Sequence, residues 1–202
     1  MRILVIGATG TIGRAVVEAL SGRHEVVQVG HRRGKYQVDL ASPESIKTLY
    51  RAVGSFDAVV CAAGLATFGA LAELTDQDFQ LGLSNKLMGQ VNLVRLGLPV
   101  IAERGSFTLT SGVLSMEPMA GSAAISPVNA AIEGFVRAAA LEMPKGVRVN
   151  VVSPPWVKET MEAMGMDSSP GVPAAIVARA YLSAVEGAMS GAVIDARAFA
   201  KR

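Results

Sequence analysis

RILVIGATGTIGRAVVEAL, Arg2 to Leu20, decides the fold. Four apolar residues, Ile3–Ile6, run into the glycine-spaced loop Gly7–Gly13, and the following RAVVEAL carries its apolar residues at helical spacing. A strand that ends in such a loop and reopens as a helix presents unpaired N–H groups at the positive helix end, where a phosphate binds. Gly7 permits the tight turn, Gly10 lets backbone approach a pyrophosphate, and Gly13 lets helix and strand pack closely. Thr9, Thr11 and Ile12 complete the candidate phosphate loop. A second apolar strand, Glu25–Val29, follows about 20 residues later, the context that a dinucleotide site requires.

Outward from this unit, short β-branched runs alternate with longer helical segments to the end of the chain. Strands are expected at Ile3–Ile6, Glu25–Val29, Asp57–Cys61, Ser106–Thr110, Val147–Val152 and Ala192–Asp195. Helices are expected at about Thr11–Leu20, Pro43–Val53, Asp76–Gly97, Pro127–Glu142 and Pro173–Glu186. Most strands are continuously apolar, as strands covered on both faces must be. The expectation is an α/β chain: one Rossmann-type, doubly wound parallel sheet with helices on both faces, forming a single domain over residues 1–202. SPES offers Ser42 as helix cap, Pro43 at the first helical position and Glu44 near the positive end. Lys158–Val172, rich in Met, Gly and Ser, reads as a mobile flap after the fifth strand.

Half of the 202 residues are hydrophobic and 18% are charged, with a net charge of +2, which excludes a disordered chain and gives no nucleic-acid footprint. Basic residues are scattered except in HRRGK, His31–Lys35. The single Cys61 excludes an internal disulfide, and no apolar run approaches the ~18 residues of a membrane span. The glycines of RILVIGATG interrupt what a signal peptide would keep apolar, so the cytoplasm is the expected compartment, with no membrane partner. His24 and His31 are too few for a metal site, and no metal is expected.

At the end of the second strand, where an NAD site places Asp or Glu on the ribose hydroxyls, stand Gly30, His31, Arg32 and Arg33. Guanidinium groups match a phosphate bidentately, so these residues favour NADP over NAD, against the alternative of a solvated basic turn. Asp39 is either a partner for the adenine amino group or a surface carboxylate.

These residues, in this order, resemble the short-chain dehydrogenase/reductase family over almost the whole chain. GATGTIG is similar to the family's glycine motif; CAAG, Cys61 to Gly64, to its Asn-Asn-Ala-Gly stretch with both Asn replaced and Ala63 and Gly64 kept. GSFTLTS, Gly105 to Ser111, resembles the strand ending in the catalytic serine, and SPPWV, with Pro154, Trp156 and Val157, the turn beside the nicotinamide. The resemblance implies a Ser that polarises the substrate oxygen, a Tyr that handles the proton, a Lys four residues later, and an Asn on the fourth helix. Tyr and Lys at that spacing share a helix face, so an ammonium can stabilise a phenolate.

Aligned on AAIEGF, Ala130 to Phe135, the Tyr position holds Ile125 and the Lys position Asn129, neither of which can do that work. Ser111 remains, fourteen residues before Ile125. Aligned on Gly89, Lys86 stands at the family's Asn position, which reads either as an exchange of an amine and an amide or as an exposed helix lysine with Asn129 a hydrogen-bonded helix residue. The candidate catalytic residues are therefore Ser111, Lys86 and Asn129. None of Tyr36, Tyr50 and Tyr181 is placed near Ser111 by sequence, Cys61 reads as a small buried hydrophobe, and Met161, Met164 and Met166 read as flap or core packing.

Two functions compete. One is an NADP(H)-dependent oxidoreductase acting on a small carbonyl or alcohol through a non-standard proton-transfer site; the other is an inactive dinucleotide-binding sensor or scaffold. The family commonly dimerises through its fourth and fifth helices, and GQVNLVRLGL and NAAIEGFVRAAALEM carry small and apolar residues beyond one core face, which implies a homodimer or homotetramer.

Overall fold

The computed structural model describes residues 1–200. Seven parallel strands form one sheet in the order β3-β2-β1-β4-β5-β6-β7. These are β1 Arg2–Ile6, β2 Glu25–Gly30, β3 Tyr36–Gln37, β4 Phe56–Cys61, β5 Ile101–Thr110, β6 Arg148–Ser153 and β7 Val193–Asp195. The helices are α1 Thr11–Ser21, α2 Pro43–Val53, α3 Asp76–Leu81, α4 Met88–Gly97, α5 Ser126–Ala139, α6 Lys158–Ala163 and α7 Ala174–Glu186. The order reverses between β1 and β4, and the strands point their C-terminal ends at the crevice this reversal opens.

Alternation along β1 shows why the sheet is covered twice. Leu4 and Ile6 face the layer of α2, α4 and α5, packing with Ile46, Leu93 and Ile132. Ile3 and Val5 face α1 and α7, packing with Val16, Leu20, Val177 and Tyr181. All four strand residues are buried, and each large one contributes roughly 1.5–3 kcal/mol by leaving water. The doubly wound α/β expectation holds.

Four local expectations change. The two residues of β3 are too short to leave a periodic signal, so the sheet has seven strands rather than six. β5 begins at Ile101, ahead of a register shift against β4 and the left-handed Arg104, φ 60°, so its exposed first half lacks the apolar pattern. The helix expected over Asp76–Gly97 is interrupted by a π-helical turn, Gly82–Leu87. The segment Lys158–Val172 opens as α6, buries Met161, and closes through a bridge between Val157 and Val172; Met164 and Met166 are exposed.

Candidate functional site

Gly7 has φ +80°, and its N–H donates to the Val29 carbonyl at the crossing of β1 and β2. A Cβ on Gly7 would press the Ala62 backbone oxygen at 2.6 Å, and one on Gly13 would collide with the carbonyl of Gly7. Gly10 is less confined: a Cβ there would lie 3.3 Å from the Gly7 oxygen, and Gly10 caps α1 without any side-chain bond. The first-turn N–H groups of α1, at Thr11, Ile12 and Gly13, therefore open onto the crevice beside the exposed Thr9 and Gly10.

Two clefts meet at Ala63 and Gly64. The smaller, about 160 Å³, is bounded by Gly7, Gly30, His31, Leu40, Asn85 and this Ala-Gly pair. A Cβ on Gly30 would collide with the Arg33 carbonyl, so the turn after β2 excludes any acidic side chain from that position. His31, Arg32 and Arg33 are exposed on this turn; only His31 borders the cleft. Asp39 is exposed and accepts the Ala41 N–H at 3.0 Å, so its carboxylate is used in the turn leading to α2.

The larger cleft, about 320 Å³, lies over the ends of β4, β5 and β6. Ser111, Lys86 and Asn129 line it, as do Ile12, Pro154, Trp156 and Val157. Lys86 is buried with 8% of its surface exposed, so it is not a solvated helix lysine. Its Nζ donates to Asn129 Oδ1 at 2.6 Å and to the Ser111 carbonyl at 3.1 Å. The π-helical turn directs consecutive residues inward: Asn85 Oδ1 accepts the Leu65 N–H at 2.8 Å while Lys86 reaches the cleft. A Cβ on Gly64, φ +148°, would strike the Lys86 stem at 2.6 Å, so Gly64 provides the lysine's passage. Burial lowers the Lys86 ammonium from its ordinary 10.5 to about 8; the nearby Cys61 acts weakly in the opposite sense. Cys61 itself is fully buried, and burial pushes its thiol up to about 12.

Ser111 is held by two groups that sequence reasoning missed. Gln90 accepts the Thr110 N–H at 2.7 Å and donates to the Thr110 carbonyl at 2.9 Å, pinning the end of β5 to α4. Glu133, 3% exposed, accepts the hydroxyls of Ser111 at 2.9 Å and Ser115 at 2.7 Å. A serine hydroxyl has one proton, so in this arrangement Ser111 directs it to Glu133 rather than into the cleft. Glu133 was findable: it stands four residues after Asn129, on the same helix face. Tyr181 meets Thr110, the residue before Ser111, from the α7 side of the sheet. The single proton of Thr110 goes to the Cys61 carbonyl, so the Tyr181 hydroxyl donates to Thr110 Oγ1, at 2.7 Å. Thr160 and Ile125 complete the cleft wall. Among the described residues no group of three or more His, Cys, Asp or Glu side chains is arranged to hold a metal, and no helix is long and apolar enough to cross a membrane.

The family described as Enoyl-(Acyl carrier protein) reductase matches residues 8–190. The chain belongs to the short-chain dehydrogenase/reductase family. Among solved structures of this fold, the protein lin1944 from Listeria innocua is 42% identical with a TM-score of 0.93, covering 96% of this chain and 98% of that one. A small-chain dehydrogenase in complex with NADPH is 27% identical with a TM-score of 0.86, over 96% of this chain and 95% of that one. Hydroxynaphthalene reductase arp2 of Aspergillus fumigatus is 29% identical over 77% of this chain, and oxidoreductase UcpA of Escherichia coli K12 is 28% identical over 73%. The chain spans 56% and 60% of the length of these two curated relatives.

Proposed function

We propose that the protein is an NADP(H)-dependent oxidoreductase that interconverts a small carbonyl compound and its alcohol, with Lys86 as the proton-handling group. The observation that carries this reading is the buried Lys86 Nζ, fixed between Asn129 Oδ1 and the Ser111 carbonyl in the wall of the larger cleft. Two of the ammonium's three N–H groups are used, which leaves one for a substrate oxygen. With burial bringing Lys86 to about 8, both protonation states are accessible near neutral pH. In reduction Lys86 gives a proton to the oxygen that becomes a hydroxyl; in oxidation the neutral amine takes it back. Asn129 orients the amine without adding charge, and Ile125 excludes water where the family's Tyr position stands.

The chain fits a dinucleotide. Gly7 and Gly13 clear the space that a Cβ would fill at the phosphate loop, and Gly30 keeps an acid away from the ribose end; Arg32 and Arg33, exposed on the same turn, would hold a 2′-phosphate there. Ala63, Gly64, Pro154, Trp156 and Val157 would hold the nicotinamide end, which when bound supplies or accepts the hydride. The NADPH complex of the structural neighbour supports this reading.

Titration with NADPH and NADH, then NADPH oxidation over aldehydes, ketones and quinones, tests the proposal. NADPH is expected to bind at least tenfold tighter, and Lys86→Met to lose about a hundredfold in turnover. Equal binding of NADH overturns the roles of Arg32 and Arg33; undiminished turnover in Lys86→Met overturns the proton assignment. One observation favours the second reading, a dinucleotide-responsive sensor: Ser111 gives its proton to Glu133. Tight NADPH binding with no turnover on the whole panel would establish it. A homodimer through the outward faces of α4 and α5, where Met88, Ala130, Ala131, Gly134 and Ala138 are exposed, belongs to the same proposal.

A further inference from the structure

Three segments that follow the C-terminal ends of strands expose apolar side chains. Phe68 is 46% exposed, Leu65 53% and Leu71 68% after β4; Met119 is 48% exposed after β5 and Met164 59% at the end of α6. These residues are organised rather than scattered. Phe68 meets Trp156 edge to face, with ring centroids 6.3 Å apart and planes at 78°. The Gly69 N–H donates to the Gly121 carbonyl at 2.9 Å, tying the segment after β4 to the one after β5. A Cβ on Gly121 would strike the Phe68 ring at 2.6 Å, so Gly121 is the bed on which that ring lies. Trp156 itself lines the cleft, so the Phe68–Trp156 pair continues the cleft wall outward.

Charge is sparse in the segments after β4 and β5 that carry this wall. No charged residue occurs from Ala62 to Ala72, and the single charge between Gly112 and Ile125 is Glu117. Glu117 is taken by the Arg197 guanidinium through two bonds of 2.8 and 2.9 Å. Glu159, on α6, accepts the Ala174 N–H at the start of α7. Among the described residues lining the cleft, Lys86 alone is charged, and two protein oxygens already accept its protons. A carboxylated substrate would find one partly committed ammonium and otherwise Val113, Leu114, Ile125 and Trp156. An exposed aromatic ring continuous with the pocket through Trp156 suits an apolar ligand.

We propose that the substrate is an uncharged carbonyl compound whose oxygen meets Lys86 and whose apolar body extends past Trp156 onto Phe68, so that the aromatic pair selects for length and against charge. This rests on the oxidoreductase reading for the identity of the reacting group. Trp156 is the only tryptophan of the chain and therefore reports occupancy directly, without turnover.

The experiment follows Trp156 emission while the protein, with and without saturating NADP⁺, is titrated with 2-butanone, 2-hexanone, 2-octanone, pyruvate and levulinate. Affinity is expected to rise about two- to fourfold for each added methylene, with both carboxylates weaker than the neutral ketones. Phe68→Ala should lose about tenfold in affinity for 2-octanone and less than twofold for 2-butanone, while Phe68→Leu, which keeps apolar area, retains the gradient. An affinity independent of chain length, a preference for the carboxylates, no emission change with any ketone, or an equal loss across the series in Phe68→Ala overturns the proposal. The expected gradient without NADPH oxidation would overturn the oxidoreductase reading and leave the apolar site standing.

Discussion

Glu133 shows how one buried side chain sets what its neighbours can do. Its carboxylate is 3% exposed and accepts two hydroxyl protons, while Arg137 stands 3.7 Å away. A hydrogen bond to a charged group contributes roughly 1.5–3 kcal/mol, and losing one leaves the partner's desolvation uncompensated. Both hydroxyls meet Oε1, so Glu133→Leu, which fills the space but removes the acceptor, is expected to cost about 2 kcal/mol, read as a lower urea midpoint at unchanged m. It should also free the Ser111 proton for the cleft, so Ser111→Ala is expected to affect substrate binding more in the Glu133→Leu background than in the native chain. Equal effects of Ser111→Ala in the two backgrounds would show that Glu133 does not govern Ser111. The glycines were legible singly, because each is demanded by its own local geometry: a Cβ at Gly13 collides with Gly7. For Glu133 only its helix face, four residues after Asn129, is local; its contact with Ser111 spans 22 residues.

At the scale of elements, legibility followed the range of the interactions that make each one. α2 begins where SPES says it should: Ser42 accepts the Ser45 N–H at 3.2 Å, Pro43 fills the first turn, and Glu44 lies near the positive end. Ser42→Ala removes that acceptor and is expected to cost about 1 kcal/mol, with Ser42→Gly costing only a few tenths, as measured by thermal unfolding. The stretch Asp76–Gly97 reads as one helix in the sequence because hydrophobic spacing over Phe79, Leu83 and Leu87 does not distinguish an α-turn from a π-turn. The π-turn is defined by what it faces: Asn85 on the Leu65 N–H and Lys86 on Asn129 and Ser111. Those partners lie 20 to 43 residues away, beyond any window of local pattern. β3 escaped for a different reason, since two residues carry no period at all.

The whole molecule couples its candidate site to its stability through the sheet that carries both. Continuous apolar strands made the doubly wound architecture readable, and that architecture buries Lys86, Cys61 and Tyr181 together at the ends of β4 and β5. Lys86 titrates at about 8 in the folded protein against 10.5 ordinarily, with burial as the main cause. Between those values the unfolded chain binds more protons, so this group makes stability rise with pH across that window. Burial acts oppositely on Cys61, ordinarily 9.0 and about 12 when folded: the unfolded thiol loses its proton first, so stability from this group falls between those values. Tyr181, also raised by burial, adds to that fall above its ordinary 10.0. The rise due to Lys86 is therefore least opposed between about pH 8 and 9, where it is expected to reach roughly 1 kcal/mol before the thiol and the phenol reverse it. Urea unfolding at pH 7.5, 8.5, 9, 10 and 11 should show stability rising to about pH 9, changing little to about pH 10 and falling beyond. Lys86→Met removes the rising arm and keeps the fall, so its stability relative to the native chain should decline from pH 8 to 9; parallel curves would mean that Lys86 carries no depressed titration in the folded protein.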